Sequence, residues 1–122
     1  MAELIDTNVL IDYLRGHEDA RTYLEEETDS LQISALTVAE LYAGARTEEK
    51  QEQLARFLSA FTVRPVTSEI ARLGGIRRGS YHESHGTDLA DGVIGATAEY
   101  EDLELVTRNE RHFPWLQTYR PY

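Results

Sequence analysis

Short apolar runs alternate along this chain with segments whose apolar residues recur every three or four positions. That alternation predicts strands separated by helices. Residues 2–6 read as a short strand, followed by a helix over 8–15 that Gly16 ends. A second helix over 19–27 turns Tyr23 and Leu24 inward, and a strand follows at 31–33. Ser34 or Thr37 caps the next helix, which runs to Gly44. The segment 48–60 is amphipathic, with Leu54, Phe57, Leu58 and Phe61 at helical spacing. A strand over 62–66 contains Pro65, which suits a sheet edge. Ser68 is the expected cap of a long helix loosened at Gly74, Gly75 and Gly79. Then come a helix headed by Asp91, a strand over 103–106, a loop or single turn, and a last strand near Thr118 and Tyr119. Strands separated by helices imply a parallel sheet of four to five strands covered on both faces.

Within this pattern three acids stand out because apolar residues surround them. Asp6 ends the first strand, Glu40 lies in Leu36-Thr37-Val38-Ala39-Glu40-Leu41, and Asp91 heads Asp91-Gly92-Val93-Ile94-Gly95-Ala96. A buried carboxylate is costly unless it is paired or bound to a cation. Each acid also has a structural reading. Asp6, Thr7 or Asn8 can cap the following helix. Thr37 and Glu40 match a capping box, whereas a cap at Ser34 leaves Glu40 mid-helix, on the face of Leu36, Ala43 and Gly44. Asp88 and Asp91, three residues apart, suit a helix N-terminus on macrodipole grounds alone. The functional reading joins them: ligands of a parallel sheet sit outside the carboxyl ends of its strands. Asp6, the loop before Glu40 and Thr107-Arg108-Asn109 all fall at such ends. Asp91 then points into that pocket, with Asp88 at its rim. The small residues Gly92, Gly95, Ala96 and Ala98 let its helix pack closely on the sheet. A carboxylate cluster without Cys or His suits Mg²⁺ or Mn²⁺, ions that activate water against a phosphodiester. Thr7 reads as a supporting hydroxyl and Asn109 as a weaker oxygen ligand.

Composition narrows the setting. With 122 residues the chain fits one domain, 1–122, and its hydrophobic fraction of 41% fits a globular fold. No apolar run approaches the roughly 18 residues that cross a bilayer. The start, Met1-Ala2-Glu3, resembles no signal peptide, and the absence of cysteine excludes disulfides and thiolate metal sites. A cytoplasmic protein is expected. Net charge is −10, from 22 acidic and 12 basic residues, and Lys50 is the one lysine. Runs such as 25–27, 48–49 and 99–102 read as solvated faces, and together they suit a high-salt cytoplasm that screens self-repulsion. Such a charge opposes nucleic-acid binding except at a local basic rim. Arg72, Arg77, Arg78 and Arg108 are the candidates for that rim. The four histidines, His17, His82, His85 and His112, lack zinc spacing and read as surface residues, and Phe113 and Trp115 read as packing.

Four ordered segments, Leu4-Ile5-Asp6-Thr7-Asn8-Val9-Leu10, Thr37-Val38-Ala39-Glu40-Leu41 with Gly44, Asp91 through Ala98, and Leu105-Val106-Thr107-Arg108-Asn109, resemble the PIN-domain ribonucleases. In particular they resemble the VapC toxins of toxin–antitoxin pairs. The resemblance implies a three-layer α/β sandwich and a metal-dependent endoribonuclease. Asp6, Glu40 and Asp91 would be its catalytic acids and ligands of Mg²⁺ or Mn²⁺, with Asp88, Thr107 and Asn109 accessory. It also implies an RNA substrate, a homodimer, and a VapB-like antitoxin that puts an arginine into the acidic pocket. Asn109 and His112 stand where family members often carry further acids, which keeps open a PIN-like module that binds RNA or protein without cleaving. A receiver domain would want a lysine after a late strand, and an Asp-x-Asp phosphatase fails at Asn8.

Overall fold

In the computed structural model, residues 2–27 and 30–122 are described; the reading made at Met1 lies outside them. The strands are β1 (Glu3–Ile5), β2 (Leu31–Ser34), β3 (Thr62–Arg64), β4 (Glu104–Val106) and β5 (Thr118–Tyr119). They form one sheet in the order β3-β2-β1-β4-β5, with every neighbouring pair parallel. The helices are α1 (Thr7–Leu14), α2 (Glu18–Glu26), α3 (Ala35–Ala43), α4 (Glu48–Leu58), α5 (Ser68–His85) and α6 (Leu89–Tyr100). A 3-10 turn spans Glu110–His112.

Alternation along the short strands creates the three layers, because successive side chains point to opposite faces. Ile5, Ile33 and Val106 pack with Val9, Leu10, Leu24, Leu41, Leu54 and Leu58 on one face, under α1 to α4. Leu4 and Leu105 pack with Ile94, Ala98 and Phe113 on the other. Ile70, Val93 and Ala96 join α5 to α6. β3 lies at the sheet edge, as Pro65 directly behind it suggests. Gly16 ends the α1 segment with φ 84°, a conformation that favours glycine.

Several local expectations are corrected. Thr67, not Ser68, caps α5, its hydroxyl accepting from the Ile70 N–H. The long helix is continuous through Gly74 and Gly75. Gly74 instead faces α6: a Cβ there would stand 2.8 Å from Val93 Cα, and one on Gly92 would stand 2.3 Å from the Gly74 carbonyl oxygen. A Cβ on Gly95 would strike Trp115. Gly74, Gly92 and Gly95 therefore admit α5 and the C-terminal aromatic turn, whereas Ala98 packs on the sheet against Leu4 and Leu105 as expected. The acidic run at 99–102 is only partly solvated, since Glu99 holds Arg77 at 2.5 Å and Glu101 holds Arg64 at 2.9 Å. No helix among the described residues is long and apolar enough to cross a membrane.

Candidate active site

The order β3-β2-β1-β4-β5 puts β1 and β4 side by side where the winding changes direction, so the loops after these two strands open a crevice. Asp6 follows β1 and Thr107 follows β4. Asp6 is 5% exposed, and its backbone N–H donates to the Val106 carbonyl at 2.9 Å. Its carboxylate is fixed at both oxygens: Oδ1 accepts the Thr7 N–H at 2.8 Å, and Oδ2 accepts the Thr107 hydroxyl at 2.7 Å. Asp6 itself, rather than Asn8, is the cap of α1. Capping and pocket are thus not rival readings of Asp6, because one residue does both. Burial pushes its carboxyl up to about 6 despite the Thr107 hydrogen bond, with Asp91 and Glu40 adding like-charge repulsion.

Glu40 stands mid-helix because Ser34 caps α3, its hydroxyl accepting from the Leu36 N–H. The capping box between Thr37 and Glu40 does not form. Glu40, Ala43 and Gly44 are exposed, which corrects the expectation of an apolar inward face. The Glu40 Oε1 nevertheless reaches the site, accepting the Thr7 hydroxyl at 2.8 Å, and Thr7 and Thr37 share a hydrogen bond at 2.9 Å.

Helix α6 starts at Leu89, two residues before Asp91, under a reciprocal capping box. Asp88 Oδ1 accepts the Asp91 N–H at 2.8 Å, and Asp91 Oδ2 accepts the Asp88 N–H at 3.1 Å. Asp91 is also pushed up to about 6, chiefly by burial and partly by the charge of Asp88. The same Oδ2 lies 3.2 Å from His112 Nδ1. His112 is therefore half-buried beside an acid of the site, not a surface bystander. No spacing in the sequence marks it; only the turn after β4 brings it back to α6.

The remaining candidates divide. Thr107 is fully buried, and its hydroxyl oxygen also accepts the Asn109 N–H at 3.0 Å, while Asn109 itself is exposed. Arg72 and Arg78 are exposed and carry no ion pair among the described residues. Arg77 is committed to Glu99 and lies over the Trp115 ring. Arg108 pairs with Asp12 at 3.3 Å and lies over Tyr122, which also donates to Asp12. Two of the four rim arginines are thus tied into the fold. A groove of about 510 Å³ opens beside Glu40, lined by Ile11, Leu14, Leu41 and Leu54 with Arg15 and Lys50.

Among the described residues, no three Asp, Glu, His or Cys side chains stand so as to hold one cation together. Each carboxylate is tied to its own neighbour: Asp6 to Thr107, Glu40 to Thr7, Asp91 to His112. The donors around Asp6 and Glu40 are neutral, and among the described residues no Lys or Arg pairs with any of the three acids. In donor type, carboxylate oxygens with uncompensated negative charge are those that a hard divalent cation takes.

Comparison with known proteins gives the lineage. The PIN domain model matches residues 4–115. The chain is 41% identical over 121 residues to Ribonuclease VapC10 of Mycobacterium tuberculosis, covering 97% of this chain and 90% of the relative. It is 40% identical over 123 residues to Ribonuclease VapC19 of the same organism, covering 98% of each. A solved toxin–antitoxin complex from Klebsiella pneumoniae contains a chain with TM-score 0.84 and 31% identity, covering 99% of this chain and 98% of that one. The FitAcB structure from Neisseria gonorrhoeae aligns with TM-score 0.78 and 29% identity, covering 98% and 97%. Matched over nearly its whole length by the family model and by VapC ribonucleases, the chain belongs to the PIN-domain family, on its VapC branch.

Proposed function

We propose that this chain is an Mg²⁺- or Mn²⁺-dependent endoribonuclease, the toxin of a type II toxin–antitoxin pair, acting in the cytoplasm as one nuclease domain over residues 1–122. The observation that carries the reading is the buried carboxylate of Asp6, with Asp91 and Glu40 close enough to add to its charge, at the β1/β4 crevice of a VapC-family fold. Asp6 and Asp91 would hold the cation, and Glu40 would join them as a ligand or take the proton of the attacking water. When bound, the cation supplies Lewis acidity toward the phosphodiester and a lowered pKa for water. Thr107 and the Thr7 N–H hold Asp6 in place, so that it does not turn away toward solvent. Asp88 fixes the backbone that carries Asp91, and Asn109 stands at the mouth as an accessory oxygen. Arg72 and Arg78, free of ion pairs, receive the flanking phosphates.

A VapB-type antitoxin is the protein partner. The apolar groove that opens onto Glu40 supports this, since it suits the apolar face of a helix whose arginine reaches the acids. A homodimer is supported by a second apolar face, where Leu36, Val66 and Val93 surround Leu89, which is 59% exposed.

The test is cleavage of total cellular RNA by the purified chain with Mn²⁺, Mg²⁺ or EDTA, at low and high salt, alongside Asp6→Asn and Asp91→Asn. Discrete fragments that need the metal and vanish in both folded variants support the nuclease. Intact RNA under every condition, with folded protein and bound metal, would sink the nuclease reading and favour a module that binds without cutting.

A further inference from the structure

Thr7 touches two of the three acids at once. Its N–H donates to Asp6 Oδ1 at 2.8 Å and its hydroxyl donates to Glu40 Oε1 at 2.8 Å. A hydroxyl carries one proton and two lone pairs. Once Thr7 gives its proton to Glu40, the 2.9 Å contact with Thr37 has a single polarity: Thr37 donates and Thr7 accepts. The chain of donors therefore runs from Thr37 through Thr7 to the Glu40 carboxylate.

Thr37 is fully buried in the first turn of α3. A threonine there commonly turns its hydroxyl back on its own helix or serves the cap. This one does neither, because Ser34 caps the helix and the Thr37 hydroxyl reaches thirty residues away in sequence, to α1. Glu40, by contrast, is exposed and has a long side chain that freezes only at an entropic cost. Among the described residues its hydrogen bond runs to the Thr7 hydroxyl, which in turn is bonded to Thr37.

We infer that Thr37 is a positioning residue: through Thr7 it holds the Glu40 carboxylate at the crevice and so sets the turnover rate rather than RNA binding. The inference rests on Glu40 serving the reaction. A chain of this kind acts like the outer partners of a catalytic acid, whose loss typically costs about ten- to hundredfold in activity.

The experiment compares Thr37→Val, nearly isosteric but without the hydroxyl, with Thr37→Ser, which keeps it. In the metal-free protein, side-chain NMR couplings read the Glu40 χ1 populations: one rotamer is expected in the parent chain and in Thr37→Ser, and averaging in Thr37→Val. In RNA cleavage, Thr37→Val should lower kcat about tenfold at unchanged KM, and Thr37→Ser should restore it. Combined with Glu40→Gln, Thr37→Val should cost nothing further, because the residue it positions is already gone. A single Glu40 rotamer in Thr37→Val, equal losses in the serine and valine variants, or additive losses in the double variant would each overturn the inference. Full cleavage by Glu40→Gln alone would instead sink the role given to Glu40, and the NMR result would stand apart from it.

Discussion

At the scale of single residues, this site is a set of acids held in unfavourable places. Asp6 has an ordinary value of 3.8 and is raised to about 6 by burial. A raised acid binds its proton more tightly in the folded state than in the unfolded one, so stability falls as pH rises between these two values. The loss is complete above pH 6 and absent below pH 4. Asp6→Asn removes it, and the Thr107 hydroxyl can turn to accept from the new amide. The metal-free variant should therefore melt several degrees above the parent at pH 7.5, by about 2 kcal/mol, and the gain should vanish at pH 4. Calorimetry at the two pH values checks this, and an unchanged or lower melting point at pH 7.5 counts against it. The arginines separate in the same way. Arg77, bonded to Glu99 and lying over Trp115, should lose about 1 kcal/mol of stability on substitution by alanine with no change in KM for RNA. Arg78→Ala should raise KM and leave urea denaturation unmoved. Finding the opposite pattern would exchange their roles.

Among the elements, the decisive contact is the crossing of α5 and α6. Val93 and the Gly74 carbonyl leave no room for a Cβ at either glycine, and both obstacles are backbone that cannot rotate aside. Gly92→Ala and Gly74→Ala should each cost about 2–3 kcal/mol through overpacking. Gly92→Ala should also displace the neighbouring Asp91 and depress cleavage. Gly75 and Gly79 sit in the same helix with nothing within 4 Å of an added Cβ. There, alanine should stabilise by about 0.5–1 kcal/mol. Urea denaturation of the four variants decides this, and a uniform sign across them would show that helix propensity, not the crossing, governs α5.

For the whole molecule, charge is the governing quantity. A net charge of −10 on 122 residues repels itself, and salt screens that repulsion within about a Debye length. The melting temperature should rise from low to molar potassium chloride. A flat or falling response would mean that internal pairs such as Arg64 with Glu101 already neutralise what matters. Asp6→Asn should respond less steeply than the parent, since it lacks one of the repelling charges.

By itself the sequence determined the layers and singled out three acids among apolar neighbours. Period two in Leu4-Ile5 and Leu105-Val106 requires two covered faces, and a charged residue at a strand tip is legible because burial makes it costly. The cap preferences of Ser34, Thr67 and Asp88 were legible as a class but not as a choice, because adjacent Ser, Thr and Asp compete for one N-terminus on nearly equal terms. Which acids share a site, which arginines are free, and which small residues meet were decided only by the tertiary structure. His112 reaches Asp91, Arg77 reaches Glu99, and Thr37 reaches Thr7 across separations of 21, 22 and 30 residues, spans read from the numbering. The physical reason is that local pattern constrains backbone conformation, whereas a side-chain partner depends on how the helices close over the sheet. That closure is set by the summed packing of Val93, Gly74, Gly92 and Trp115, which no window of neighbouring residues contains.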